Sequence, residues 1–195
     1  MPDRETDDLL LQRAGAGESA AFLRIYQRHR LSVFRFAYRL SGSIEAAEDI
    51  THDCFLSLIR KPGNFVAGRA SLRTYLLSAV RNLWLKQLRT RGRELALDDF
   101  GDDQFVEVGR QPLRTVLDEE LSLKVADAVS NLPALQRETL ILVEYEGMAL
   151  SEVASLVGAD VGAVKGRLHR ARAALRSALQ PYLNTTREIV TLEKA

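Results

Sequence analysis

Apolar positions in the first part of the chain recur at steps of three and four. Between residues 19 and 41 they fall at Phe22, Ile25, Tyr26, Val33, Phe36, Ala37 and Leu40, which is one stripe along a helix. Ser41-Gly42-Ser43 ends that helix, and Ser43 is placed to cap the next. The second helix carries Ile50, Cys54 and Leu58 at steps of four and runs to about Arg60, where Lys61-Pro62-Gly63-Asn64 opens a loop. A third helix is expected from about Ser71, with an inner face of Leu72, Tyr75, Leu76, Ala79, Val80 and Leu83. It runs into Arg89, Arg91 and Arg93, cations that suit a helix C-terminus.

The pattern then stops. From Glu94 to about Pro112 the chain is polar and turn-rich, centred on Asp98-Asp99-Phe100-Gly101-Asp102-Asp103. Such a stretch buries too little apolar surface to offset the entropy of ordering it, so a flexible linker is expected. Helix resumes near Arg114, breaks at Asn131-Leu132-Pro133, and starts again with Leu140 and Val143 before ending at Glu146-Gly147. Two helices follow at close spacing. The first holds Glu152, Val153, Ala154 and Leu156; Gly158-Ala159-Asp160 turns the chain, and Asp160 is placed to cap the second. On that last helix Val164, Leu168, Ala171, Leu175 and Leu179 share one face, with Lys165, His169, Arg172 and Arg176 on the neighbouring one. A helix, a tight turn with glycine and a basic amphipathic helix form the helix-turn-helix pattern; an ordinary hairpin with a solvated basic side is the alternative. No β-type alternation and no internal repeat are present.

Charge sharpens this picture. The net +1 over 195 residues conceals a strong segregation. Residues 18–93 hold 14 Lys and Arg against 5 Asp and Glu, a net of +9. Residues 94–127 hold 3 against 10, a net of −7, and residues 161–183 hold five basic side chains and no acid. Two basic surfaces joined by an acidic connector suggest a polyanion partner, although charge alone also fits a solvated helical surface. No apolar run is long enough to cross a bilayer, and the N-terminus is acidic rather than signal-like. Cys54 is the one cysteine, so no intrachain disulfide forms, which suits a reducing compartment. A cytoplasmic protein without membrane insertion is expected.

At this point the residues carry a specific likeness. Leu132-Pro133 through Arg137-Glu138, Glu152-Val153-Ala154, and Val164-Lys165-Gly166-Arg167-Leu168-His169-Arg170-Ala171-Arg172 resemble the promoter-reading domain of extracytoplasmic-function sigma factors. Ala47-Glu48-Asp49-Ile50 with His52-Asp53 and Phe55-Leu56 resembles that family's polymerase-binding helix. Ser71-Leu72-Arg73-Thr74-Tyr75-Leu76 through Arg81-Asn82-Leu83 and Leu88-Arg89 resembles its helix for the minus-ten element. The likeness covers about residues 18–183. It implies an all-α protein of two small helical domains: sigma region 2 over 18–93, a flexible acidic linker over 94–113, and the region 4 helix-turn-helix over 114–183. The tail 184–195 is unassigned.

The resemblance also implies roles. Glu48, Asp49, His52 and Asp53 would meet core RNA polymerase. Asn64, Arg69, Arg73, Asn82, Lys86, Arg89 and Arg91 would engage the minus-ten element, where a base extruded from the melted strand is captured. Phe65, Tyr75 and Trp84 are able to stack on bases; Tyr75 is expected in the core, Phe65 as a loop anchor, and Trp84 in either role. Ala163, Lys165, Gly166, Arg167 and Arg170 would meet the minus-thirty-five element, with Ala163 and Gly166 permitting close backbone approach. Which of the cations read bases and which touch phosphate stays open, but the Arg167 fork fits a base edge better than the single ammonium of Lys165. The linker's −7 charge would mimic RNA in the polymerase channel.

The chain departs from the family pattern at His52 and Asp53, where Gln and Glu are usual, at Tyr75 for Trp, at Lys86 for Asp, and at Ala163 and Gly166 for Thr and Ser. The last two changes remove hydroxyls from the expected DNA face and bear on the promoter sequence rather than the fold. Gly162 and Gly166 are each expected to weaken the last helix by about 1 kcal/mol relative to Ala. The partners implied are core RNA polymerase and promoter DNA, with an anti-sigma factor left open, and the free chain is expected to be a monomer. An autonomous dimeric helix-turn-helix regulator is the rival reading, and the second basic surface at Arg69 to Arg93 speaks against it. A purely structural helical adaptor is a third. Neither enzyme activity, a metal nor another cofactor is expected: His29, His52 and His169 lie in three different helices, and no phosphate loop or metal-spaced Cys/His set is present.

Overall fold

The computed structural model describes residues 5–61, 64–66, 68, 70–90 and 114–192. Every regular element among them is helical. The linker expected over 94–113 lies outside the described residues, as do Arg69 and Arg91. The chain divides into two compact units, Met1–Leu95 and Ala96–Ala195.

The N-terminal unit holds α1 (Asp7–Gly15), α2 (Ser19–Ser41), α3 (Ile44–Arg60) and α4 (Leu72–Thr90). Serine hydroxyls start two of these helices. Ser43 Oγ accepts the Ala46 N–H at 3.2 Å, and Ser71 Oγ accepts the Thr74 N–H at 3.1 Å, satisfying backbone donors that have no partner within the first turn. Gly42 ends α2 in the left-handed region at φ 70°, its N–H donating to the Tyr38 carbonyl. Helix α2 is the central element, packing against α1, α3 and α4, while α3 also packs on α4. Its buried stripe of Ala21, Ile25, His29, Val33, Phe36, Ala37 and Leu40 meets Ile50, Cys54, Phe55 and Leu58 of α3 and Leu72, Leu76 and Val80 of α4 in one core.

Two features differ from the sequence reading. Helix α1 was not expected, because its short apolar run is flanked by acids; yet Leu10 is fully buried and Leu11 nearly so. A charge network fastens it to α2. Asp7 receives Arg28 at 2.5 Å and His29 Nε2 at 2.8 Å, while Glu5 pairs with Arg24 and Arg13. The unit therefore extends N-terminal of residue 18. The inner face of α4 is also rotated: Leu77, Trp84 and Leu85 are buried, whereas Tyr75, Ala79 and Leu83 lie half-buried at its edge. The reason is that α4 is covered by both α2 and α3, which widens its apolar stripe toward 77 and 84. Trp84, 3% exposed, is core. Phe65 is buried and sets its ring edge against Tyr75, centroids 5.6 Å apart, anchoring the loop before α4.

The C-terminal unit holds α5 (Arg114–Ser130), α6 (Ala134–Leu140), a π turn (Ile141–Tyr145), α7 (Leu150–Val157) and α8 (Val161–Leu192). Helix α8 packs against α5, α6 and α7. Pro133, at φ −51°, stands at the N-cap of α6, at the break expected there. The π turn was not foreseen; the Glu146 N–H reaches back five residues to the Ile141 carbonyl at 3.0 Å. Ile141, Leu142, Val153, Val164, Leu168 and Ala171 form the core, and Leu175 is half-buried. Two polar side chains are fully buried here, Glu138 and Thr139, the latter donating to the Leu135 carbonyl at 2.7 Å.

Candidate polymerase and nucleic-acid interfaces

The acidic strip on α3 is exposed at all four expected positions. Glu48 and His52 are one turn apart, as are Asp49 and Asp53, so the four occupy adjacent ridges of one face. Beside them lies a feature the sequence reading passed over. An open groove of about 960 Å³ runs between α2 and α3, lined by Phe22, Leu23, Tyr26, Leu31, Phe55 and Ile59, with Arg30, Glu48 and His52 among its polar lining residues. Leu23, Leu31 and Ile59 are each more than half exposed. Thr51 is also among the lining residues, and its hydroxyl is buried without a hydrogen-bond partner. The signal was present in the sequence: Leu23 and Leu31 are apolar yet fall off the α2 stripe. Such residues standing together, rather than scattered, mark a surface that another molecule covers.

The minus-ten candidates are partly brought together. Asn82, Lys86 and Arg89 are exposed and follow one another at steps of four and three along α4. Tyr75, seven residues before Asn82, starts the same strip. It is half-buried, and that burial raises the phenol above its usual range. Asn64 is exposed on the preceding loop. Arg73 stands apart: nine residues from Asn82 is two and a half turns, the opposite side of the helix, and it is half-buried. Beneath the strip, Cys54 packs its thiol toward the Leu76 carbonyl at 3.8 Å, and burial pushes it up to about 12.

The start of α8 is built by its turn. Gly158 takes the left-handed conformation at φ 68°, closing α7. Asp160 Oδ1 then accepts the Ala163 N–H at 2.7 Å, which fixes where α8 begins. On the other side of the turn, Glu152 reaches back to accept the Ala149 N–H at 2.8 Å. Val164 and Leu168 hold α8 to its unit, so the remaining side chains face outward in two strips. One carries Ala163, Gly166, Arg167 and Arg170, with Arg170 exposed and Arg167 half-buried. The other carries Lys165, His169, Arg172 and Arg176, all exposed. Arg172 is ion-paired: its guanidinium binds Glu144 Oε1 through Nε at 2.9 Å and Nη2 at 2.5 Å.

The glycines on this helix have different meanings. A Cβ on Gly162 would sit 2.9 Å from the capping Asp160 Oδ1, so glycine there makes room for the cap. A Cβ on Gly166 would meet Arg170 Nη1 at 3.6 Å, an ordinary contact. Among the described residues no group of three or more His, Cys, Asp or Glu side chains is placed to hold a metal. No described helix is long and apolar enough to cross a membrane.

Comparison with known proteins bears on both units. Residues 25–94 match the family model of sigma-70 region 2, and residues 122–175 that of sigma-70 region 4. The chain is 28% identical over 191 residues to the RNA polymerase sigma-H factor of Pseudomonas aeruginosa, covering 94% of this chain and 98% of that protein. It is 31% identical over 180 residues to the ECF RNA polymerase sigma factor SigM of Mycobacterium tuberculosis, covering 92% and 87%. Among solved structures, the sigma factor RpoE of Bartonella quintana, crystallised with the anti-sigma factor NepR, superposes with a TM-score of 0.62 at 26% identity over 82% of this chain and 96% of that one. The order of the two matched regions is that of the acid-rimmed groove and the helix-turn-helix, and the chain belongs to the extracytoplasmic-function family of RNA polymerase sigma factors.

Proposed function

We propose that this chain docks on core RNA polymerase through the α2–α3 face, opens and engages the minus-ten element with the exposed strip of α4, and reads the minus-thirty-five element with the start of α8. Glu48, Asp49, His52 and Asp53 supply charge to the first contact, and the neighbouring apolar groove supplies area. Asn64, Asn82, Lys86 and Arg89 take the melted strand, Arg69 and Arg91 are assigned to the same task, and Arg73, on the opposite side of α4, does not share that strip. Ala163, Lys165, Gly166, Arg167 and Arg170 enter the major groove, where helix N-termini of this motif contact base edges. The observation that carries the reading is the start of α8: an Asp160-capped helix whose outward residues include five cations and no acid from 161 to 183.

The chain then acts as a specificity subunit of polymerase in the cytoplasm rather than as a catalyst, and it is a monomer when free. The Bartonella quintana relative is held by an anti-sigma factor, and control of the same kind is proposed here. The domain limits that go with this reading are 18–93 and 114–183, preceded by α1 and joined by the acidic stretch 94–113. Transcription in vitro with core polymerase, followed by sequencing of start sites, tests it. Specific starts that require this chain are expected. Tight binding of the purified chain to a palindrome, with no polymerase-dependent starts, would favour an autonomous dimeric regulator instead.

A further inference from the structure

Arg172 lies on the strip of α8 that also carries Lys165, His169 and Arg176, and all four are exposed. Its charge is already engaged. Glu144 comes from the π turn, 28 residues earlier, and one of its oxygens takes both Nε and Nη2 of Arg172. The π turn buries Ile141 and Leu142 while leaving Glu144 and Tyr145 at the surface. The pair is solvent-exposed, with side-chain accessibilities of 56% for Arg172 and 42% for Glu144. Exposed pairs of this kind add little to folding stability. A phosphate oxygen is an equivalent acceptor for a guanidinium, so binding Glu144 and binding phosphate are alternatives for Arg172.

We propose that Glu144 is a positioning residue that withholds Arg172 from duplex DNA, lowering the affinity of the chain for DNA of arbitrary sequence. The proposal rests on the reading that α8 meets DNA. The neutral pair releases no counterions on binding, whereas a free Arg172 beside Lys165 and Arg176 adds a phosphate contact. The consequence is a recognition helix that holds bulk DNA less firmly and leaves discrimination to the other strip.

The test uses the full chain as wild type, Glu144→Gln, Arg172→Ala and the double variant, titrated with a short duplex of arbitrary sequence between 50 and 200 mM salt. Glu144→Gln should steepen the slope of log affinity against log salt by about 0.9, so that it loses about threefold more affinity than wild type across that range. The steepening should vanish in the Arg172→Ala background. Steepening that persists without Arg172 would mean the carboxylate acts through space, and the proposal would fall. An unchanged or shallower slope for Glu144→Gln, with wild type binding normally, would also overturn it while leaving the DNA reading intact. Salt-independent or absent binding by wild type would remove both.

Discussion

Single residues on α8 were legible in type but not in consequence. Both glycines read as a cost to the helix, because glycine surrenders the most backbone freedom on folding. The structure separates them. Gly162 stands against the Asp160 cap, and a side chain there must push the carboxylate aside. Gly166 has room. Gly166→Ala should therefore raise stability by about 0.4–1 kcal/mol. In Gly162→Ala the same gain should be offset by damage to a cap worth about 0.5–2 kcal/mol. Paired thermal melts check this, and equal gains from both would refute the cap argument. Cys54 gives a second residue-scale expectation. Its thiol is pushed up to about 12 when folded, above an ordinary value near 9. Above pH 9 the unfolded chain loses this proton while the folded chain keeps it, so stability falls as pH rises from 9 toward 12, by at most about 1.4 kcal/mol per pH unit. Cys54→Ala should show a shallower alkaline decline than wild type in denaturant melts at stepped pH.

At the scale of elements, the period-3.6 pattern located α2, α3, α4 and α8 because each buries a long stripe. It missed α1, which is short and packs only two leucines, Leu10 and Leu11, against the bundle. What holds α1 beyond those leucines is a set of ion pairs between residues far apart in sequence, and spacing cannot reveal such pairs. The buried contact at this seam is the Asp7–His29 hydrogen bond, His29 being 8% exposed. Asp7→Ala should cost about 1–3 kcal/mol, the range for hydrogen bonds to charged groups and for stranding a buried partner. Glu18→Ala, which removes an exposed partner of Arg13, should lower the melt less than Asp7→Ala does. The rotated face of α4 has a related cause: one helix cannot announce how many neighbours will cover it. On α8 the stripe was read correctly at Val164, Leu168 and Ala171, so Leu168→Ala should cost about 2–5 kcal/mol. Lys165→Ala, fully outside the stripe, should cost no more than about 0.5 kcal/mol. Arg167 falls between these, since its half-buried stem packs as well as carrying charge.

For the whole molecule, the segregation of charge into +9, −7 and a basic last helix was the clearest message of the sequence, since charge survives any error in helix boundaries. The α2–α3 groove was the least clear, because it is made of residues that fail a pattern rather than follow one. Its position beside the acidic strip leads to a test that separates two kinds of attraction. Reversing Glu48, Asp49 and Asp53 to Lys alters exposed side chains, so helicity and melting should change little. Association with core polymerase should weaken most at low salt, because interactions between exposed charges are screened over about 8–10 Å at ordinary ionic strength. Leu31→Ser, at a position 54% exposed in the free chain, should likewise spare the fold. If the groove is covered in the complex, that substitution loses up to about half of the 1.5–3 kcal/mol of a full leucine burial, and the loss should not depend on salt. Pull-downs of core polymerase at stepped salt, with both variants and wild type, give the measurement. Weakening by charge reversal alone would confine docking to the acidic strip, and weakening by neither would place the polymerase contact elsewhere on the molecule.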